Sequence, residues 1–282
     1  MSIELLRDYK TLLFTFPKPL NLKPLKRHGS PKNIGVPRII WRTWKDDSWR
    51  SHCVSAIQLT SKTMSNWQQR VYNDAQCEQF IRKVYHDYPE ILEAWNLCNI
   101  GVMKADLWRY LVIYWYGGLY LDMKSAVART IEFTQPPSLS TCPRLWTSPW
   151  KYKEGSKPYH HHLFPYGEMQ QFWIAAEPES PALWHVICQV TANIIHVARE
   201  KPKIPPFLEL PKVASIKSQV LSCTGPIPYT YAIAEAAMTY ANSVVILQEN
   251  CAECISYFPP NPNELPQKLK SHYSNHPGPL TK

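Results

Sequence analysis

The chain has 282 residues, 45% of them hydrophobic and 19% charged, with a formal net charge of +9. This is an ordinary soluble globular composition, sufficient for one large domain or two small ones. No apolar run approaches the ~18 residues that a bilayer-spanning helix needs, and the opening MSIELLRDYKTLLFTF carries charges throughout and no cleavage-site pattern, so neither an integral membrane segment nor a signal peptide is expected and a cytoplasmic location is.

Residues 1–35 read as a basic arm. Lys10, Lys18, Lys23, Lys26, Arg27 and Lys32 lie in it, with Arg38 just beyond, and the prolines at 17, 19, 24 and 31 break regular structure. Such a run is usually solvated, or it attracts an anionic surface. No nucleic-acid module accompanies it, so nucleic acid is not an expected partner. A strand is predicted from Arg38 to Trp44, a helix over about 54–64, a strand from Trp67 to Tyr72 closed by the turn residues Asn73 and Asp74, and helices near 77–84 and 89–98. Alternation of this kind signals an α/β protein with a mostly parallel sheet flanked by helices.

The stretch from Asn99 to Arg129, NIGVMKADLWRYLVIYWYGGLYLDMKSAVAR, organises the chain. Gly101 to Tyr116 is apolar on almost every side and predicts a buried helix of about four turns. Asp106 and Arg109 interrupt it on neighbouring positions of one face, and a charge pair there carries a desolvation cost that packing does not explain. Gly117-Gly118 ends the helix. Leu119–Leu121 forms a short strand, and Asp122-Met123-Lys124 stands at its carboxyl end, where open α/β sheets bind ligands. Beyond it, residues 135–167 read as loops, 170–176 as a strand, 181–199 as a long helix, 228–241 as a helix and 244–247 as a strand, and the tail from Pro259 is polar and proline-rich. Among the eight cysteines only Cys251 and Cys254 have C-x-x-C spacing, with no second pair to complete a zinc site, so reduced thiols are expected. Three consecutive histidines at 160–162 cannot readily converge on one ion.

KADLWRYLVIYWYGGLYLDMK resembles the DXD region of glycosyltransferase family 32, which includes initiation-specific mannosyltransferases and capsular sugar transferases; glucosylating clostridial toxins carry a related pattern. VPRIIWRTW (36–44) is similar to the family's opening strand, usually IPKIIHQTW. Tyr72-Asn73-Asp74 resembles its second strand end, and Thr224-Gly225-Pro226 followed by Tyr229 resembles its TGP segment. The resemblance spans roughly residues 36–230. It implies a GT-A glycosyltransferase fold, with a catalytic domain over 36–258 (a nucleotide-sugar half to about 130, an acceptor half after it) and a tail, 259–282, that closes over the donor. The implied reaction moves a sugar from a nucleotide diphosphate donor, a UDP-sugar by expectation, to a hydroxyl of a glycan or glycoprotein acceptor. A non-catalytic nucleotide-sugar or glycan-binding protein derived from a transferase is the alternative.

The same resemblance assigns roles. Asp106 and Arg109 match residues that bind donor-sugar hydroxyls, and a lone internal salt bridge is the plainer reading. Trp41 sits where the first strand meets the nucleotide base, although tryptophan is also a common core filler. Asn73 and Asp74 are candidates for ribose or base edges, and an ordinary turn explains them nearly as well. Asp122 matches the first DXD aspartate, which acts around a divalent cation, Mn²⁺ or Mg²⁺, on the diphosphate. Lys124 replaces the second. Either its ammonium takes over part of the cation's role, or Asp122 keeps a cation with groups such as His272, or Lys124 is a solvated lysine on an inactive relative. The Asp-x-Lys variant without an anchor is similar to members encoded by large DNA viruses. Lys104 is expected at the rim, and Trp146, Trp150, Trp173 and Glu168 on the acceptor side. The family implies retention of configuration; inversion would need a carboxylate base, for which Asp122, Glu168 and Glu177 are the candidates.

Overall fold

The computed structural model describes residues 16–27, 35–133, 142–150, 168–200, 216–247, 254–257 and 280–281. Strand β1 (Ile39–Thr43) is followed by a short helix α1 (Trp49–His52), α2 (Val54–Thr63), β2 (Gln68–Tyr72), α3 (Asp74–Val84), α4 (Pro89–Leu97), α5 (Gly101–Tyr116) and β3 (Gly118–Leu121). Then come β4 (Ala126–Val127), β5 (Leu145–Thr147), β6 (Trp173–Ala176), α6 (Pro181–Glu200), α7 (Ile216–Cys223), α8 (Pro226–Thr239), β7 (Val244–Ile246) and β8 (Ile255–Ser256).

Six of these strands form one sheet in the order β2-β1-β3-β6-β5-β7. Strands β2, β1 and β3 run parallel, β6 is antiparallel to both β3 and β5, and β5 is parallel to β7. The sheet is therefore mixed and mostly parallel, with β6 reversed. Chain order turns back at β1, which has β2 on one side and β3 on the other, and the crevice at the carboxyl ends of such strands is the ligand position of open α/β sheets.

Alternate residues of the strands feed two cores. Trp41, Tyr120, Ile174 and Ala176 join the helical core with α3 to α8, whereas Ile40, Leu119, Leu121, Trp173 and Ala175 face the other cluster with Met64, Val127 and Trp146. Helix α5 lies at the centre of the first: every residue from Asp106 to Tyr114 is buried. Its end is set by close approach. A Cβ on Gly118 (φ +102°) would lie 2.5 Å from the carbonyl oxygen of Ile39, and one on Gly117 (φ +69°) 2.7 Å from Pro178, so only glycine lets β3 follow the helix directly against β1.

Helix α3 starts three residues earlier than its predicted start because Asn73 and Gln76 form a reciprocal cap: the Gln76 amide donates to Asn73 Oδ1 at 3.0 Å, and the Asn73 amide to Gln76 Oε1 at 2.9 Å. Helix α7 and the two- and three-residue strands β4, β5 and β8 are too short for periodicity to announce them. Residues 16–27 of the basic arm lie along the helical side: the Leu20 amide donates to the Cys188 carbonyl, Tyr114 Oη to that of Leu25, and the Arg27 amide to Glu179. No described helix is long and apolar enough to cross a membrane.

Candidate active site

Three charged side chains meet where α5 passes the carboxyl end of β3. Arg109 Nη2 lies 2.9 Å from Asp106 Oδ1, one turn back on the same helix, and 3.2 Å from Asp122 Oδ1. Its Nη1 donates to the Gln171 carbonyl at 2.8 Å, and its guanidinium carbon sits 4.6 Å from the centre of the Tyr120 ring. Arg109 Nε is buried without a hydrogen-bond partner among the described residues. Burial works against the charge of this guanidinium, but Tyr120, Asp122 and Asp106 around it hold its pKa above the ordinary arginine value.

Asp106 is 3% exposed and uses both oxygens, Oδ1 on Arg109 and Oδ2 accepting from Thr224 Oγ1 at 2.7 Å. Burial pushes its pKa well above the carboxylate range; Arg109 and Thr224 oppose that shift and Asp122 adds to it. Asp122 is more open, with its side chain 28% exposed. Its Oδ1 accepts from both Arg109 and Tyr120 Oη, the latter at 2.9 Å, while Oδ2 accepts from no described residue. Lys124 is half-buried, and its ammonium makes no hydrogen bond or ion pair among the described residues. Among the described residues the site thus presents one carboxylate oxygen and one ammonium without a partner, backed by a buried arginine.

Residues that the sequence reading had not placed complete this geometry. Thr224, of the TGP segment, caps Asp106, and its carbonyl receives Tyr110 Oη and Gln171 Nε2, both at 3.0 Å. Gln171 Nε2 also bonds Tyr110 Oη. Tyr120 orients Asp122 from two residues back on the same strand face. The TGP resemblance was a signal for Thr224; nothing local marked Gln171.

Several expected contacts are differently placed. Trp41 is fully buried: its ring stacks on Tyr116 at 5.1 Å, and Nε1 donates to the Gly117 carbonyl at 2.9 Å, so neither indole face is open to a base. The half-buried Trp44, three residues on at the crevice, has its Nε1 on Ser48 Oγ at 3.2 Å. Asn73 Oδ1 is committed to its cap, and Asp74 is the first, exposed residue of α3. Trp173 is also fully buried, in the second core, where an indole serves packing. Trp146 is buried there too, whereas Trp150 is half-buried and packs against Phe172 and Tyr257. Glu168 is 6% exposed, and its carbonyl accepts from the Trp150 amide. Glu177 follows Ala176, which pairs with Gly118 at the far end of β3, and its carboxylate holds the Arg144 amide at 2.8 Å; the antiparallel course of β6 carries it away from Asp122. Lys104 lies 4.9 Å over the Trp95 ring in the first turn of α5. His272 lies outside the described residues. Of the tail, Leu280 and Thr281 dock on the connection between α4 and α5, where the Asn99 amide donates to the Leu280 carbonyl at 2.9 Å.

The DXD pattern implies a divalent cation, and the donors described here do not fit one held by protein alone. Both Asp106 oxygens are engaged, one Asp122 oxygen remains, and an ammonium stands where the second carboxylate would be. No group of three or more His, Cys, Asp or Glu able to hold a metal occurs among the described residues.

A mixed α/β sheet with a charged cluster at the carboxyl end of its central strands has the layout of a ligand-binding α/β protein. Residues 50–141 match the family model described as "Glycosyltransferase sugar-binding region containing DXD motif". The chain is similar to the initiation-specific alpha-1,6-mannosyltransferase of Candida albicans, 26% identical over 133 residues, covering 40% of this chain and 34% of that protein. Its counterpart in Schizosaccharomyces pombe is 23% identical over 214 residues, 75% of this chain and 50% of the relative. Inositol phosphoceramide mannosyltransferase 3 of S. pombe is 28% identical over 103 residues, 36% and 28% of the two chains. A solved structure, "PaToxG Glycosyltransferase", superposes with a TM-score of 0.43 at 12% identity over 73% of this chain and 70% of its own. The matched stretches cover half or less of each of these three curated relatives. Residues 50–141 thus match a glycosyltransferase sugar-binding DXD region, and the chain is similar over part of its length to fungal α-1,6-mannosyltransferases.

Proposed function

We propose that the protein is a hexosyltransferase that moves a sugar from a nucleotide diphosphate donor to a hydroxyl of a glycan or glycoprotein. The observation that carries this reading is the Asp106–Arg109–Asp122 cluster with Asp122 Oδ2 and Lys124 left open beside it. Asp106 and Arg109, locked by Thr224 and Gln171, form the buried floor of the site and hold Asp122, whose Oδ2 is the carboxylate oxygen left to accept from a sugar hydroxyl. As the bond from anomeric carbon to phosphate oxygen breaks, charge grows on the leaving diphosphate, and the Lys124 ammonium is the group available to stabilise it. The names of the relatives favour mannose as the transferred sugar.

The test is a panel of UDP- and GDP-sugars, scored for hydrolysis and transfer with EDTA and with Mn²⁺, on the wild type and on Lys124→Ala. Turnover of one donor should persist in EDTA and fall about a hundredfold in the variant, the scale for removing one transition-state charge contact. Turnover that requires Mn²⁺ overturns the role given to Lys124. Neither binding nor turnover of any donor overturns the transferase reading and leaves a derived binding protein.

A further inference from the structure

The turn that carries Asp122 and Lys124 is held from both faces of the sheet. Arg109 grips the Asp122 side chain from the helical face. From the opposite face comes Arg42, on β1, fully buried and without a carboxylate in ion-pair distance among the described residues. Its Nη1 donates to the carbonyls of Asp122 at 2.9 Å, Ser125 at 2.8 Å and Met123 at 3.4 Å. Its Nη2 donates to Thr60 Oγ1 and its Nε to Gln69 Oε1, both at 3.1 Å. Thr60 Oγ1 also receives the Val127 amide at 3.1 Å, tying the strand after the turn to the same point.

A buried guanidinium satisfied only by neutral oxygens is an expensive way to pack a strand, because its charge has lost water and gained no counter-ion. Burial lowers its pKa to about 10, which leaves it charged at neutral pH. The resembled motif usually has glutamine at this position, and a neutral amide would do for one or two of these bonds. What arginine adds is a fork that gathers three carbonyls of one turn, and a fixed positive charge beneath it. With those carbonyls drawn inward, the amides of Met123 and Lys124 donate to no acceptor among the described residues.

We propose that Arg42 is a positioning residue for the donor's diphosphate: it turns the Asp122, Met123 and Ser125 carbonyls away from the ligand, leaves the central amides and Lys124 to the phosphate oxygens, and supplies fixed positive charge under them. The inference rests on the transferase reading above. Oriented backbone amides of this sort make anion-binding concavities.

The test uses the full chain with Arg42→Lys, Arg42→Gln and Thr60→Val, each checked by thermal melting. Equilibrium binding of a nucleoside is compared with that of the same nucleoside diphosphate, and kcat and KM are measured with whichever donor the panel identifies. In Arg42→Lys the diphosphate should bind about tenfold more weakly and the donor KM should rise similarly, the size expected for one lost charge-assisted bond. Nucleoside affinity should stay within about twofold. If nucleoside and nucleoside diphosphate weaken together, or neither weakens, the proposal is overturned. Thr60→Val keeps the charge and loosens one nitrogen; it should show a smaller loss of the same selectivity, and its result decides if neither Arg42 variant folds. Failure of the wild type to bind any donor defeats the parent reading, whereas a working wild type with unaffected variants defeats only this one.

Discussion

Arg109 holds Asp122 by a single oxygen, Oδ1, at 3.2 Å, and leaves Oδ2 without a donor among the described residues. The contact crosses from helix α5 to the end of β3, so it sets where the open oxygen points. Asp122→Asn retains shape and the Tyr120 contact, and it should lower kcat about a hundredfold with little change in melting temperature. Arg109→Ala should differ: it strips the cation from two carboxylates, one deeply buried, and should cost about 3–5 kcal/mol of stability in urea titration. Equal stability of the two variants would show that the cluster is not coupled as the distances indicate.

Asp106 makes stability depend on pH in a stated direction. Its folded pKa is raised from 3.8 to about 7, by burial first and by Asp122 further. Between those values the folded state therefore binds more protons than the unfolded one, and the group's contribution is full below about 4 and declines as pH rises to 7. Melting curves of the wild type and Asp106→Asn should diverge across that window, with the wild type losing ground as pH increases. Parallel curves would rule out the shift.

Trp41 serves the core. Trp41→Phe keeps most of the stack on Tyr116 but loses the bond to the Gly117 carbonyl, and Trp41→Ala should cost about 3–5 kcal/mol, as large aromatic truncations do. Nucleotide affinity of the folded Trp41→Phe protein, read by calorimetry, should match the wild type. A loss above about tenfold would return the indole to the binding site.

Gly118 admits no side chain. Gly118→Ala places a methyl 2.5 Å from the Ile39 carbonyl oxygen at φ +102°, so either β3 leaves β1 or the chain fails to fold. Soluble yield should fall sharply, and any soluble fraction should be destabilised by more than about 2 kcal/mol in denaturant titration. Wild-type stability in this variant would contradict the packing of β3 on β1.

Much of this arrangement is legible in the chain itself. The apolar run 101–116 reads as a buried helix because no wide polar face is left for water, and two residues three apart within it announce a charge pair. The strand–helix alternation points to a mostly parallel sheet. Other features rest on contacts far apart in sequence. Thr224 reaches Asp106 across 118 positions and Arg42 reaches the Asp122 turn across about 80. Alternation in IIWRTW shows that Trp41 and Arg42 face opposite sides of the sheet, but not which side opens on a ligand; here both are covered, one by α5, the other by the turn itself.

By itself, then, the amino-acid sequence determines the local periods, the glycine break and the residue types brought to the carboxyl end of β3, since each depends on neighbours within a few positions. The antiparallel course of β6 that removes Glu177, the single free oxygen of Asp122 and the two arginines gripping one turn from opposite faces are decided only in the folded molecule. Hydrogen-bond partners there are chosen by distance and desolvation in three dimensions, and a linear pattern of residues carries neither.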